Sequence, residues 1–494
     1  DNEFSGKIYS SLIRSALDSL DTVYHKSTSL LIQSILKIDW LKHSDNEEFL
    51  KTYSRFLSVL VSGFPKWWTD VADKLIADFT KKRDTDLLIH HSTIEYIIQI
   101  IPTSTNSFPS ILKKNYPNKN APKKELVNYI SNLLKLLTYC NELRNLIWSL
   151  IVENCIKLDV ELQDELDNID DDDIDEALQS NEEDDADLDD DDDDDDDEDS
   201  EDSDDEEEYN VEIQSISELS SKLDNIMLLL FEHVQKSISS QDPSLFNTLS
   251  SLFKSHILPT HQTRCIQYLL FHISQQDIEL SESFLVMLVF VVFDSNEISS
   301  NRIKAMQYVA SFIARAKILT RQQLLMILEY LTSWCNRFVN EREKEIGNGE
   351  GGMERFKIFY CVFQGLLYMF CFRYKELKND RDEWELNLEK FYSNMILSGF
   401  NPLKYCNETV VLIFARLAQQ VDLCYCFSII ERNKRERLNG IKGVKNGGKF
   451  ESKQEFLDLE AYFPFDPLML KKSKKVVNEN YIEWKSIDDD SDSE

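Results

Sequence analysis

Apolar residues recur at helical spacing through almost the whole chain. The α-helix repeats every 3.6 residues, so steps of three, four or seven keep one apolar stripe facing a core. After Pro122, such steps connect Leu126, Ile130, Leu133, Leu137, Cys140, Ile147 and Leu150. The same spacing predicts helices at Ile8–Leu20, Phe49–Val61, Val71–Phe79, Leu219–Val234, Phe284–Phe293, Arg302–Leu319, Gln322–Val339, Phe356–Phe372 and Val410–Leu417. Strict alternation of apolar and polar residues is rare, so no series of strands is predicted.

Short polar segments separate these helices, as at Ser44-Asp45, Asp242-Pro243 and Asn401-Pro402. Roughly twenty helices joined by short connections are typical of a helical-repeat solenoid of the HEAT or armadillo kind. No repeated motif is visible at a period near forty, and an assembly of helical bundles would give a similar pattern. We predict an all-α, HEAT-repeat-like helical solenoid.

An acidic insert interrupts this solenoid. The chain carries 54 Lys+Arg against 89 Asp+Glu, a formal charge of -35. The 50 positions from Asp159 to Glu208 hold 34 of the acidic residues and no basic residue, so the rest of the chain is nearly neutral. Nine consecutive aspartates, Asp189–Asp197, repel one another and offer no apolar face, which predicts disorder. The predicted divisions are N-terminal helical repeats at 1–158, the insert at 159–210, C-terminal helical repeats at 211–485 and an acidic tail at 486–494.

The composition of the remaining chain indicates a folded helical protein. Over the whole chain the hydrophobic content is 42%, with only 12 Gly and 10 Pro, which disfavours turn-dense β folds and Gly-rich nucleotide-binding folds. The apolar runs Phe284–Phe293 and Ile358–Phe372 are shorter than a membrane-spanning helix requires, so we expect buried core helices and no membrane association. Nine scattered cysteines favour a reducing compartment.

Motifs that would carry catalysis are weak. Gly347–Gly352 has the spacing Gly-x-Gly-x-x-Gly, but it joins two helices and follows no strand, so we interpret it as a connector. Cys424 and Cys426 lack a second ligand pair for zinc. His90 and His91 point about 100° apart on a helix, so they cannot chelate a metal from one face. We expect no catalytic residue, no metal site and no cofactor.

Recognition surfaces are the remaining candidates. Lys304, Tyr308, Ser311 and Arg315 form one polar stripe at helical spacing, which is typical of a solvated face or of a contact surface. Two basic loops, Lys113–Lys124 and Arg432–Lys453, have few interleaved aromatic residues, so we expect no direct nucleic-acid binding. Ser203 and Ser491 stand before acidic residues and are candidate phosphorylation sites. Hydroxyl residues also lie near predicted helix ends, where capping is the simplest role: Ser27, Thr28, Ser29, Ser62, Thr103 and Ser104.

The segments Tyr462–Leu468 and Tyr481–Trp484, with six others in order along the chain, together resemble the RNA polymerase I-specific transcription initiation factors of the TIF-IA family. The strongest is Tyr462–Leu468, with the sequence YFPFDPL, followed by Tyr481–Trp484. The others, in order along nearly the full chain, are Phe64–Trp68, Pro117–Asn120, Leu126–Tyr129, Ala314–Lys317, Gly351–Lys357 and Phe400–Lys404. The acidic insert also falls where the family carries one.

The resemblance implies a nuclear and nucleolar HEAT-repeat protein without enzymatic activity. Such a factor binds RNA polymerase I near its stalk and dock region, makes it competent to initiate, and bridges it to the promoter-bound core factor at ribosomal DNA. It also implies a homodimer in free solution.

The resemblance further implies which residues make these contacts. The family meets the polymerase through a phosphate-sensitive serine patch, which corresponds here to Ser27, Thr28, Ser29, Ser62, Thr103 and Ser104. The Ala314–Lys317 segment resembles the family's contact with promoter-selectivity factors, which makes Lys304, Arg315 and Lys317 candidate core-factor contacts. The main alternative is another nuclear HEAT-repeat adaptor, such as a transport receptor, or a histone chaperone that uses the acidic insert.

Overall fold

The chain divides into two compact units, Asp1–His233 and Val234–Glu494. The computed structural model describes residues 11–15, 26–43, 46–169, 204–239, 243–346, 353–379, 381–444 and 459–484. The described residues contain no β-strand; two isolated antiparallel bridges join Ala316 to Tyr481 and Lys378 to Trp384. The predicted all-α class is thus confirmed.

Short connections join the successive helices of the first unit, except that the acidic insert stands between its last two helices. After a helical stretch at 11–15 come α1 (Lys26–Leu36), α2 (Glu47–Gly63), α3 (Trp68–Ala77), α4 (Leu88–Ile100), α5 (Phe108–Asn115), α6 (Lys123–Leu137), α7 (Arg144–Leu166) and α8 (Asp204–Ser239). The division between the units falls within α8. Cap chemistry fixes some boundaries: the Asn46 side chain accepts a hydrogen bond from the Phe49 amide at the start of α2.

Alternate helices of the first unit pack side by side: α1 with α3, α2 with α4, and α3 with α5. The hydrogen bonds that join them recur at nearly constant sequence separation. Trp40 bonds to Asp78, 38 residues on; Ser54 bonds to Thr93, 39 residues on. His91 bonds to Asn132 across 41 residues. These separations match the period of a HEAT-type repeat, about 40 residues.

The helices of the second unit follow the same plan. They are α9 (Pro243–Leu252), α10 (Tyr268–Ser274), α11 (Ile278–Phe293), α12 (Ser299–Arg315), α13 (Arg321–Ile346), α14 (Met353–Arg373), α15 (Leu388–Leu397), α16 (Glu408–Gln420), α17 (Phe427–Val444) and α18 (Lys471–Asn478). Its linking hydrogen bonds have similar separations, 41 residues for Gln323 with Glu282 and 43 for Asn407 with Gln364. The predicted HEAT-repeat-like solenoid is therefore confirmed within each unit.

Helices α12, α14 and α16 form the interior row of the second unit. Helices α12 and α14 approach so closely that a Cβ atom on Gly365 would stand 2.8 Å from the Met306 Cε atom. The segment Glu354–Leu377 is long and apolar enough to cross a membrane, but 78% of its most apolar window is buried inside the protein. The predicted core role of Ile358–Phe372 agrees with this burial.

The acidic insert lies mostly outside the described residues. Helix α7 continues past residue 158 to Leu166, with Asp159 buried, and α8 begins at Asp204. Residues 170–203, which include the nine consecutive aspartates and Ser203, are outside the described ranges, as are Ser491 and the predicted tail. The predicted domain limits therefore stay predictions.

Candidate interaction surfaces

The predicted serine patch lies at one end of the first unit's helices. Ser62 is in the last turn of α2, next to the start of α3, and Thr103 and Ser104 follow the end of α4, just before α5. Helices α3 and α5 run in the same direction, since Trp68 bonds near Ser104 and Asp73 bonds to Lys114. The 41 positions from Ser62 to Thr103 equal one repeat. Ser62 lies within α2 and Thr103 lies three residues past the end of α4, so the two lie near corresponding helix ends in successive repeats.

The exposure of the patch residues differs. Ser62 and Thr103 are exposed and Ser29 is half-buried. The Ser62 Oγ atom donates a 2.7 Å hydrogen bond to the Ser58 carbonyl. Ser104 is only 4% exposed, and its Oγ atom has no hydrogen-bond partner within the described structure. Ser27 and Thr28 lie in the first turn of α1, and their side chains are outside the described residues.

Trp68 bonds the start of α3 to the turn that carries Thr103. Its Nε1 atom donates to the Ser104 carbonyl at 2.9 Å and to the Ser107 Oγ atom at 2.7 Å. Because Trp68 starts α3 directly after the turn that follows Ser62, this indole joins the turn beside Ser62 to the turn that carries Thr103. The Phe64–Trp68 motif therefore fixes the turn that carries Thr103 and Ser104 against the start of α3.

The predicted core-factor contacts surround the C-terminal segment Leu459–Trp484. Arg315 is 4% exposed; its guanidinium lies 3.1 Å from the Asp466 carboxylate and 4.3 Å from the centre of the Phe372 ring. Lys304 is half-buried and donates to the Pro259 carbonyl at 2.7 Å. Lys317 is exposed, and its Nζ atom bonds to the carbonyls at the end of α18.

The C-terminal segment packs on the middle of the polar stripe, at Tyr308 and Ser311. Tyr308 and Ser311 are buried, and the Ser311 Oγ atom accepts a 2.8 Å hydrogen bond from the Phe465 amide. The Phe465 ring packs 5.5 Å from Tyr308. Neither a fully solvated face nor a fully open contact surface describes this stripe. Sequence reasoning missed the segment as a structural element, although the aromatic content of Tyr462–Leu468 was a signal for burial.

The adjacent histidines are structural. His90 and His91 are both buried, and His90 bonds to the Asp78 carboxylate at 3.1 Å, while His91 bonds to Asn132 at 2.9 Å. Burial raises the pKa of Asp78, but the hydrogen bonds from His90 and from Lys81 outweigh it and lower that pKa to about 2. Within the described residues, no group of three or more His, Cys, Asp or Glu side chains could hold a metal ion.

Comparison with known proteins identifies the family. The model of the RNA polymerase I specific transcription initiation factor RRN3 family matches residues 2–489, nearly the whole chain. The chain belongs to the RRN3 family. The resemblance inferred from the ordered motifs is thereby confirmed.

Two fungal relatives of this RRN3 family member match most of its length. The RNA polymerase I-specific transcription initiation factor of Saccharomyces cerevisiae is 42% identical, with 94% of this chain and 82% of that protein covered. The factor of Schizosaccharomyces pombe is 30% identical, with 95% and 79% covered. A crystal structure of RNA polymerase I transcription initiation factor Rrn3 superimposes with a TM-score of 0.82 at 41% identity, covering 97% of this chain and 90% of that one.

Proposed function

We propose that this protein binds RNA polymerase I, near its stalk and dock region, and makes it competent to initiate transcription of ribosomal DNA. The observation that carries this proposal is the placement of exposed Ser62 and Thr103 near corresponding helix ends in successive repeats, with Trp68 bonded to the turn that carries Thr103. Regularly spaced neutral hydroxyls on a rigid edge fit a partner surface closely. Family membership supports RNA polymerase I as that partner.

The chemistry of the patch also provides regulation. A phosphate on Ser62 or Thr103 would add about -1.5 to -2 charges and three acceptor oxygens. Within a closely packed contact these charges would have to lose water without gaining a partner, and they would repel acidic groups on the polymerase. Ser104 contributes through its carbonyl, which anchors Trp68, because its hydroxyl is buried.

The protein acts as an adaptor without enzymatic activity, bridging the polymerase to the promoter-bound core factor. Among the three predicted core-factor residues, Lys317 is the exposed one and the direct contact in this proposal. Arg315 positions the segment around Lys317, since its backbone carbonyl accepts a 2.8 Å hydrogen bond from the Ile482 amide. This function places the protein in the nucleus and the nucleolus, and in free solution it is a homodimer.

The test is binding of purified RNA polymerase I to the Ser62→Asp variant. A carboxylate at position 62 should weaken polymerase binding by about tenfold or more, because an unpaired charge buried in a contact costs at least about 1.4 kcal/mol. Ser62→Ala, which adds no charge, should bind nearly as the wild type does. RNA polymerases II and III serve as specificity controls.

Ser92→Asp is the matched control variant. Ser92 is also an exposed helical serine with a hydrogen bond to a backbone carbonyl, but it lies near the start of α4, at the other end of the helices. Circular dichroism should show that both aspartate variants keep their helices. Unchanged polymerase affinity in Ser62→Asp, or an equal loss in Ser92→Asp, would remove the patch from the proposed interface.

A further inference from the structure

A basic pocket lies at the opposite end of α3 from the serine patch. Helix α3 has ten residues, so the two ends are about 15 Å apart along its axis. The pocket has a volume of about 450 Å³, within the range of small-molecule sites. Five of its lining side chains are basic and one, Asp86, is acidic; the basic ones are Lys81, Lys82, Arg83, Lys123 and Lys124. Because the chain outside the acidic insert is nearly neutral, these five cations are a local concentration of positive charge.

The loop that carries three of these cations is held rigidly. Asn128 and Asn132 of α6 are buried, and their amide groups donate to loop carbonyls: Asn128 to Thr80 at 3.1 Å, and Asn132 to Lys82 at 2.8 Å. Ser131 adds a 2.6 Å hydrogen bond to the Asp84 carboxylate. The loop is thus held through two backbone carbonyls and one side chain, so its backbone is preorganised for a ligand.

Local contacts account for only part of this positive charge. Lys123 and Lys124 stand in the first turn of α6, where the helix dipole disfavours positive charge, and the Lys123 Nζ atom donates a 3.1 Å hydrogen bond to the neutral Ser221 Oγ atom. Lys81 is paired with Asp78 at 2.9 Å. Lys82 and Arg83 are exposed and form no ion pair within the described part of the chain. The repulsion among these groups would be relieved by a bound anion.

We propose that this pocket binds a compact, multiply phosphorylated small molecule, with clustered phosphates as found in inositol polyphosphates and inorganic polyphosphate. Phosphate suits lysine ammonium groups, an arginine fork and the positive end of a helix, all of which meet here. A single phosphate would neutralise only part of the charge. The pocket's lining residues include no aromatic side chain on which bases could stack, which disfavours single-stranded nucleic acid.

The experiment is calorimetric titration of the full chain with inositol hexakisphosphate and, separately, with inorganic tripolyphosphate, at about 0.15 M salt. One ligand should bind per chain, and the affinity should fall as salt is raised. Arg83→Glu should weaken binding by about tenfold or more, since an attractive charge becomes a repulsive one. Tighter binding of one probe would identify the source of the phosphates, and either preference supports the proposal.

Lys66→Glu is the control with the same change of charge. Lys66 is exposed and lies beside the start of α3, at the serine-patch end, so its replacement should alter affinity by less than about twofold. Circular dichroism establishes that both variants are folded. Absence of binding to the wild type, or equal losses in the two variants, would overturn the proposal. Binding of duplex DNA that depends on Arg83 and that tripolyphosphate does not displace would also overturn it, in favour of a nucleic-acid site.

Discussion

Replacing Phe465 by alanine should destabilise the second unit strongly. The Phe465 side chain is fully buried, and its ring centre lies 4.8 Å from that of Phe271 and 5.6 Å from that of Tyr268. Truncation of a buried phenylalanine costs about 3–5 kcal/mol, because packing is lost and a cavity remains. The backbone hydrogen bond from residue 465 to Ser311 survives the change. The loss therefore measures side-chain packing of the C-terminal segment against α10, which carries Tyr268 and Phe271, and against α12, which carries Tyr308.

Urea unfolding, monitored through the hydrogen exchange of peptides from each unit, measures the loss of stability. With a denaturant slope of about 3 kcal/mol per molar, the midpoint of the second unit should fall by about 1–1.7 M. Peptides from Leu459–Trp484 should exchange faster, while peptides from α2 to α6 should not change. Resolving the two units matters, because a chain with two compact units need not unfold in one step.

Leu397→Ala is the control, since Leu397 is 73% exposed and its truncation should cost no more than about 0.5 kcal/mol. Truncation of a fully buried aromatic ring costs more than about 1 kcal/mol unless the surrounding side chains fill the space. A decrease of less than about 1 kcal/mol in the free energy of unfolding of Phe465→Ala would therefore refute the reasoning. In that case the C-terminal segment would not be an integral part of the second unit's core.

Two further predictions concern titration and oxidation. Burial lowers the pKa of His91 to about 4, so between pH 6.5 and 4 only the unfolded chain takes up a proton at this residue. Acidification over that window should therefore destabilise the first unit by on the order of 3 kcal/mol. Urea titrations at several pH values measure this loss, and His91→Gln should reduce the dependence of stability on pH. Below pH 4, protonation of Asp78 as the pH falls towards its pKa of about 2 should remove further stability. Dilute hydrogen peroxide should form a disulfide between Cys424 and Cys426 before it modifies the seven other cysteines, which are buried. The reason is that Cys424 is half-exposed and the two Sγ atoms lie 3.7 Å apart. Differential alkylation with mass spectrometry checks this, and earlier labelling of any buried cysteine would contradict it.

The helices were predictable because their apolar spacing is local. The predicted helix Phe49–Val61 falls inside α2, and Phe284–Phe293 falls inside α11. The repeat was not visible in the sequence. Hydrogen bonds between helices recur at a nearly constant sequence separation, but the residue types that form them differ from one repeat to the next. Ser54 with Thr93 and Gln323 with Glu282 share a separation near 40 residues but no common residue type.

The surfaces were less predictable than the fold, because burial depends on segments far away in sequence. The pattern around Arg315 indicates an exposed stripe, yet the carboxylate that pairs with this arginine is 151 residues away. Ser104 is similar, since its burial depends on Trp68, 36 residues earlier. Lys81, Lys82 and Arg83 become a pocket only when α6 brings Lys123 and Lys124 beside them. Helix spacing gives the face of a residue within its own helix but not what covers that face.

The two ends of α3 therefore carry opposite responses to phosphate in our proposals. At the Ser62 end, exposed hydroxyls bind as neutral groups, and an added phosphate weakens a protein contact. At the Arg83 end, the pocket is already positively charged, and phosphate on a ligand strengthens binding. Because Trp68 anchors one end of this helix and Asn128 and Asn132 anchor the loop at the other, both sites are fixed to one rigid element. Ser62→Asp should thus leave polyphosphate binding unchanged, and Arg83→Glu should leave the serine patch intact.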